Sequence, residues 1–260
     1  MHMTDPPMTP AVALIFAGGA GTRMSDSQHL PKQFIEVAGV PILIHTLSRF
    51  EDSDVIDQIY LVVPNDWTEY AADLVERYRI SKVACVLSGG DTALLSIFKG
   101  LSQMVTDQLP DQTIVVIHDG VRPIISSQLI EANVEMARRE GNAITSIPAF
   151  ETVAIKHVGN DTVETVIDRR RAFVLQAPQT FHLNQVYQTN LQAINDDTIS
   201  NFVDQANMQA HYGERLFLLN GFRGNVKITI PDDVTYFTYL VETGQYERII
   251  MSQDMDGRMP

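Results

Sequence analysis

The chain is 260 residues long, 45% hydrophobic and formally charged −13. A chain of this length buries one good core, so one large α/β domain is the expected count. The acidic balance speaks against a nucleic-acid partner, which calls for a basic face, and no apolar run reaches the length of a membrane span.

Residues 1–10, MHMTDPPMTP, lack a basic region followed by an apolar stretch. They are therefore not a secretory signal and read as a disordered leader. Residues 251–260 read as a disordered tail, which leaves 11–250 as a single domain. The lone cysteine, Cys85, lies in an apolar run and has no partner for an internal disulfide. It reads as a structural thiol rather than a nucleophile. Together these features favour the cytoplasm.

Ala11 to Phe16 is an apolar run short enough to be a buried strand. Ala17, Gly18, Gly19, Ala20 and Gly21 follow, then Arg23 and, further on, Lys32. A glycine-rich turn after a strand presents backbone N–H groups as an anion-binding concavity. Two fixed cations beside it suit nucleotide phosphates and the charge that grows in phosphoryl chemistry. The glycines alone suit an ordinary strand-to-loop turn equally well. A dinucleotide-binding turn needs a third glycine where Met24 stands, and a Walker loop needs a Gly-Lys-Ser/Thr ending that the chain lacks. What remains is G-x-G-T-R-M with a downstream Pro31-Lys32-Gln33-Phe34.

Pro41–Phe50 reads as a helix, with His45 as a surface or packing residue rather than a ligand. Ile59–Val63 is a second strand, and Asp66 is placed to cap a helix over Trp67–Tyr78. Val83–Leu87 is a third strand, closed by Ser88, Gly89 and Gly90, after which Asp91 or Thr92 starts a helix to Met104. Thr113–Ile117 is a fourth strand, carrying His118-Asp119-Gly120-Val121-Arg122-Pro123 at its end. A helix over Ser127–Arg139 and a strand over Ala143–Pro148 follow.

Strands alternating with helices mean right-handed crossovers and a mostly parallel, doubly wound Rossmann-like sheet of the α/β class. Such sheets bind ligands outside the carboxyl ends of their strands, where the glycine loop, Gly89-Gly90-Asp91 and His118-Asp119 all fall. From 150 to 172 the pattern changes to two alternating runs around Gly159-Asn160, a hairpin signal read as a protruding arm that packs on a partner. Phe173–Leu175 and Ala177–Phe181 resume as strands. Helices follow over Leu183–Ile194 and Asn201–His211, then a strand over Leu216–Leu219 and a final helix from Pro231, beside Asp232 and Asp233.

The loop Gly18–Met24, Pro31–Phe34, Gly89-Gly90, Asp119–Pro123, Asp168-Arg169, Pro178–Phe181 and Asn225–Thr229 stand in an order that resembles the cytidylyltransferases acting on methylerythritol 4-phosphate or ribitol 5-phosphate. The resemblance spans residues 11 to 245 and gives the sheet its nucleotidyltransferase type. Guanylyl- and thymidylyltransferases share the first loop but lack the D-x-x-R-P and N-x-K-x-T pair. The resemblance implies that an acceptor phosphate oxygen attacks the α-phosphorus of CTP and expels pyrophosphate.

By the same resemblance, Arg23, Lys32 and Lys227 are catalytic cations, and Ala17, Gly18, Gly19 and Gly21 are the backbone that approaches CTP. Gly90, Asp91 and Ser96 match residues near base and ribose, and Asp119 matches the residue at nucleotide and Mg²⁺. Arg122, Thr152, Arg169 and Lys227 match the acceptor-phosphate site, with Thr152 and Arg169 supplied by the arm of a second copy in a homodimer. Arg170 and Arg171 read as solvated or arm-contact residues.

Two departures stand out. Ala93 replaces an arginine, which puts support of the nucleotide loop in doubt, and Ala177 replaces a threonine, which puts acceptor grip in doubt. Both admit a weakened nucleotide-binding paralogue with a regulatory role. The resemblance implies a basic residue soon after this point of the arm in the methylerythritol type; Glu151-Thr152-Val153-Ala154 carries none before Lys156, so the likeness leans to ribitol 5-phosphate.

Overall fold

The computed structural model describes residues 9–17 and 30–255. Strand β1 spans Ala11–Phe16, and five of its six side chains are buried. Alternation divides them: Ala11, Ala13 and Ile15 join the apolar cluster on one face of the sheet, Val12 and Leu14 the cluster on the other. A strand buried on both faces belongs to the middle of a doubly covered parallel sheet.

β2 (Glu36–Val37) and β3 (Val40–Pro41) form a small antiparallel ladder ahead of α1 (Ile42–Glu51). β4 (Gln58–Val63), α2 (Thr68–Arg77), β5 (Val83–Ser88) and α3 (Ala93–Thr106) follow, then β6 (Ile114–Asp119), α4 (Ser127–Glu140) and β7 (Asn142–Pro148). The short strands β8 (Ala154–Lys156) and β9 (Val163–Val166) precede β10 (Phe173–His182), α5 (Leu183–Asn195), α6 (Gln205–His211) and β11 (Leu218–Asn220). Two helices end the fold, α7 (Pro231–Glu242) and α8 (Gln245–Met255).

Among the described residues the main sheet has seven strands in the order β11-β7-β10-β6-β1-β4-β5. β1 pairs parallel to both β4 and β6, while β10 runs antiparallel to β6 and β7. The sheet is thus mostly parallel, as expected. From β1 the chain winds first toward β4 and β5, then returns to place β6 on the opposite side, so the order reverses between β1 and β6. That switch point opens a crevice beyond their carboxyl ends.

Helix α3 shows how the sequence packs one face. Leu94, Ile97, Leu101 and Met104 recur at helical spacing and are buried, each contributing about 1.5–3 kcal/mol through removal from water. Gly100 lies on the same face, and any side chain there would meet Leu14 and Val62. Thr92 caps the helix, its hydroxyl accepting from Leu95 N.

Several expectations are corrected. Asp66 does not cap α2; it lies inside a 3₁₀ turn, Asn65–Trp67, and α2 starts after it without a side-chain cap. The helix expected from Asn201 begins at Gln205, because Asp204 takes the cap position and accepts from Asn207 N. Phe173–Leu175 and Ala177–Phe181 are one strand with an irregularity between Leu175 and Gln179. The tail expected from residue 251 is helical through Met255: Gly244, at φ +70°, breaks the chain after α7, and Tyr246 and Ile250 of α8 pack into the core.

The arm is a two-stranded antiparallel hairpin, and every residue of β8 and β9 is exposed. His45 is a packing residue as expected: its Nε2 donates to Val37 O at 3.0 Å and its ring meets Phe237 edge-on. Among the described residues no helix is long and apolar enough to cross a membrane.

Candidate active site

β6 delivers Asp119 to the crevice, opposite Phe16 at the end of β1. Gly120 follows because the two strands close there: its N–H bonds Phe16 O at 2.9 Å, and an added Cβ would lie 2.9 Å from the Ala17 Cβ. The Asp119 carboxylate is buried between two cations. Lys227 Nζ lies 2.5 Å from Oδ1 and Arg122 Nε 3.3 Å from Oδ2. Burial alone would raise its pKa, but Lys227 and Arg122 outweigh that and hold it below the usual carboxylate range.

Arg122 is oriented further by Nη1, which donates to Asn225 O at 2.6 Å. Asn225 in turn donates from Nδ2 to Ala177 O at 2.7 Å. The strand-like run carrying Lys227 is tied to the same turn through Ile228 N, 2.9 Å from Val121 O. The sequence motifs Asp119–Pro123 and Asn225–Thr229 therefore converge on one cluster with two positive charges and one negative. An acidic chain thus presents a local positive site, the charge an incoming phosphate requires.

The cluster forms one wall of a cleft of about 200 Å³, closed on other sides by Phe16, Ala93, Gln176, Ala177, Val203 and Asp204. Gln176, Val203, Asp204 and Gln205 escaped the sequence reading, which held Gln179 only as part of the Pro178–Phe181 motif. A usable signal was the Asp-Gln-Ala-Asn start of α6, where Asp204 caps the helix and also accepts from Gln179 Nε2 at 2.9 Å.

The second expected element, the turn after β5, is rigid. Ser96 is fully buried, and its hydroxyl accepts from Gly90 N at 3.1 Å and donates to Thr92 O at 2.9 Å. Ser96 thus serves the turn from beneath, and Asp91 at its tip is exposed. A Cβ on Gly89 would lie 2.8 Å from Ser96 Oγ, and one on Gly90 would press on Leu95, so both positions require glycine. Lys99, one helical turn after Ser96, donates to Gly89 O at 2.6 Å. The turn is held without an arginine at position 93.

Lys32 opens a 3₁₀ turn, Lys32–Phe34, whose Phe34 is buried with its ring 5.1 Å from both Trp67 and Tyr70. Ala17 is buried, and its N–H is occupied by Val62 O at 2.8 Å, so what it offers a ligand is close approach rather than a donor. Gly18, Gly19, Gly21 and Arg23 lie outside the described residues. Thr152 and Arg169 are exposed on the arm and are not among the residues lining the cleft of their own chain. Arg169 Nη1 donates to Phe150 O at 3.4 Å, and Arg170 pairs with Asp168 at 2.8 Å. His118 is buried, with its pKa lowered to about 4 by burial, and its Nε2 donates to Arg122 O at 2.9 Å.

The family model for 2-C-methyl-D-erythritol 4-phosphate cytidylyltransferase, IspD, matches residues 11–243. The chain belongs to this cytidylyltransferase family. The match covers the whole main sheet and the arm. Within the family, a ribitol-5-phosphate cytidylyltransferase from Streptococcus agalactiae serotype V is 39% identical over 239 residues, 92% of this chain and 98% of the relative. A 2-C-methyl-D-erythritol 4-phosphate cytidylyltransferase from Syntrophus aciditrophicus is 35% identical, over 86% of this chain and 92% of the relative. The solved 4-diphosphocytidyl-2C-methyl-D-erythritol synthase of Anaerococcus prevotii superposes with a TM-score of 0.75 at 26% identity, covering 90% of this chain and 96% of its own.

Proposed function

We propose that this cytidylyltransferase-family chain joins CTP to a polyol phosphate, ribitol 5-phosphate foremost, releasing pyrophosphate. The observation that carries the proposal is the pairing of Arg122 and Lys227 with the buried Asp119 at the β1/β6 switch point. It supplies the fixed positive charge that an acceptor phosphate needs, beside a crevice suited to a nucleotide.

In the reaction an oxygen of the acceptor's phosphate dianion attacks the α-phosphorus of CTP. The new P–O bond forms as the bond to the β-phosphate's bridging oxygen breaks, and that electron pair leaves with pyrophosphate. No proton need move, so the protein's contribution is alignment and charge. Arg122 and Lys227 hold the acceptor phosphate, and Arg23 and Lys32 neutralise the triphosphate. Gly90 and Asp91 receive the base and ribose, with Ser96 fixing the turn beneath them.

Mg²⁺ fits the donor set. Among the described residues no group of three or more candidate metal ligands exists, but Mg²⁺ typically takes one or two carboxylates plus phosphate oxygens. Asp119 has lone pairs to share beyond those facing Lys227 and Arg122. Bound there, the ion would neutralise charge on the triphosphate and the leaving pyrophosphate. Thr152 and Arg169 complete the acceptor site from a second copy, which makes the working unit a homodimer. The use of CTP keeps the cytoplasmic location expected from the sequence.

The family model's own name favours 2-C-methyl-D-erythritol 4-phosphate as the second acceptor. Identity to the ribitol-type relative, 39% against 35% for the methylerythritol type, and the missing basic residue after Thr152 favour ribitol 5-phosphate. A weakened paralogue is disfavoured, since the turn that Ala93 put in doubt is held by Ser96 and Lys99. Pyrophosphate release from CTP with each acceptor in turn decides among the three. Release with neither acceptor would sink the enzyme reading, and a higher kcat/KM with methylerythritol 4-phosphate would reassign the substrate.

A further inference from the structure

The turn that follows β6 carries both Asp119 and Arg122, and its carbonyls are held one after another by separate parts of the fold. Gly120 O accepts from Thr46 Oγ1 of α1 at 3.1 Å, sharing that proton with Ile42 O at 3.3 Å. Val121 O accepts from Ile228 N at 2.9 Å. Arg122 O accepts from His118 Nε2 at 2.9 Å. Pro123 O accepts from the Tyr246 hydroxyl of α8 at 2.9 Å. Thr46 and His118 are fully buried and Tyr246 nearly so, and none of the three lines the cleft.

A turn of this kind normally turns its carbonyls to water or to its own amides. Here buried donors from α1, β6 and α8 converge on it, and Pro123 O accepts from Ile125 N at 3.1 Å as well. Tyr246 is itself held fast, edge-on to Phe237 at 5.4 Å and with the Arg49 guanidinium 5.9 Å from its ring centre. The buried hydroxyl and imidazole would each lose a partner if the turn moved, so any displacement of Arg122 is opposed from several directions.

We infer that Thr46, His118 and Tyr246 are positioning residues for the acceptor-phosphate site, acting through the backbone of residues 120–123 to fix Arg122 and Asp119 against Lys227. The inference rests on the proposed role of that cluster. Its consequence is a long-range one: α8, at the far end of the sequence, sets the geometry of the Arg122 grip in the turn after β6. Preorganised charge works only while it stays within a fraction of an ångström of its productive place.

The test uses Tyr246→Phe and Thr46→Val, each deleting a hydroxyl while keeping the shape. Each single change is expected to raise the KM for ribitol 5-phosphate about threefold to tenfold, the range for one hydrogen bond, while the KM for CTP stays put. In an Arg122→Ala background the same changes should add nothing, since the side chain they position is gone. Amide hydrogen exchange reads the idea without turnover: Tyr246→Phe should speed exchange over residues 120–125 and leave β4 and β5 unchanged. Unmoved acceptor KM in both variants, an effect that persists undiminished without Arg122, or exchange that changes everywhere or nowhere would overturn the inference. A wild-type chain that releases no pyrophosphate, yet shows the local exchange change, would instead fail the proposed function and leave the positioning network standing.

Discussion

Lys227 Nζ lies 2.5 Å from Asp119 Oδ1, joining the run before α7 to the end of β6. The pair is uneven: the Asp119 side chain is 8% exposed and that of Lys227 41%. Water therefore screens the lysine's part, and its removal costs stability less than breaking a fully buried pair would. Arg122 still faces the other oxygen, so the carboxylate does not become an uncompensated charge. Lys227→Met is accordingly expected to lower turnover about 10²–10³-fold while costing only about 1 kcal/mol in folding. Steady-state kinetics beside a denaturant titration check this. Normal turnover, or a collapse of folding that accounts for the whole loss, would remove Lys227 from the site.

The proposed role of Arg23 and Lys32 at the triphosphate gives a second prediction. Arg23→Ala and Lys32→Ala should each cut turnover about 10²–10³-fold with folding intact. Lys32 is anchored by a turn whose buried Phe34 packs on Trp67 and Tyr70, and that packing is kept when Lys32 is shortened to alanine. Near-wild-type turnover in both variants would take the pair out of catalysis.

Cys85 offers a test of the site's chemistry by exclusion. Burial, aided by the charge of Asp107, pushes its thiol up to about 11. A raised thiol pKa means less thiolate at any pH below it, and the thiolate is the nucleophile. Iodoacetamide at pH 8 should therefore label native Cys85 about a hundredfold more slowly than the unfolded chain. Equal rates would show an accessible, reactive thiol and reopen the question of its role.

The arm predicts assembly. Val153 and Ile155 lie on one face of the hairpin, 42% and 46% exposed, and Val163 and Val166 on the other, each 58% exposed, so the arm shows apolar side chains on both faces. An isolated two-stranded hairpin is marginal in water, and a second copy on a two-fold axis is the commonest way to cover one. Mixing an Arg169→Ala chain with a Lys32→Ala chain should restore part of the activity that each lacks, because some mixed dimers hold one intact pocket. A monomer by ultracentrifugation, or no recovery after confirmed subunit exchange, would contradict the shared site.

Much of this was legible in the sequence because it is written locally. A buried run ending in Asp119-Gly120 locates a strand's carboxyl end, and Gly89-Gly90 marks a turn where a Cβ would collide. Apolar alternation without a core identified the arm. What escaped depends on contacts between distant segments. Nothing near Tyr246 says that its hydroxyl meets Pro123, and nothing near Thr46 points to Gly120. Asp66 carries a cap's chemistry but falls in a 3₁₀ turn, while Asp204 caps α6 and reaches Gln179 in β10. Tertiary geometry chose between two residues with similar local credentials.

The reaction proposed for this chain is the joining of CTP to a polyol phosphate. Mass spectrometry of the product, with CTP, Mg²⁺ and ribitol 5-phosphate, tests it most directly. CDP-ribitol and pyrophosphate are expected in equal amounts, with a lower kcat/KM when methylerythritol 4-phosphate replaces the pentitol. CTP returned intact with every polyol phosphate offered, or a product formed only from GTP or dTTP, would contradict it.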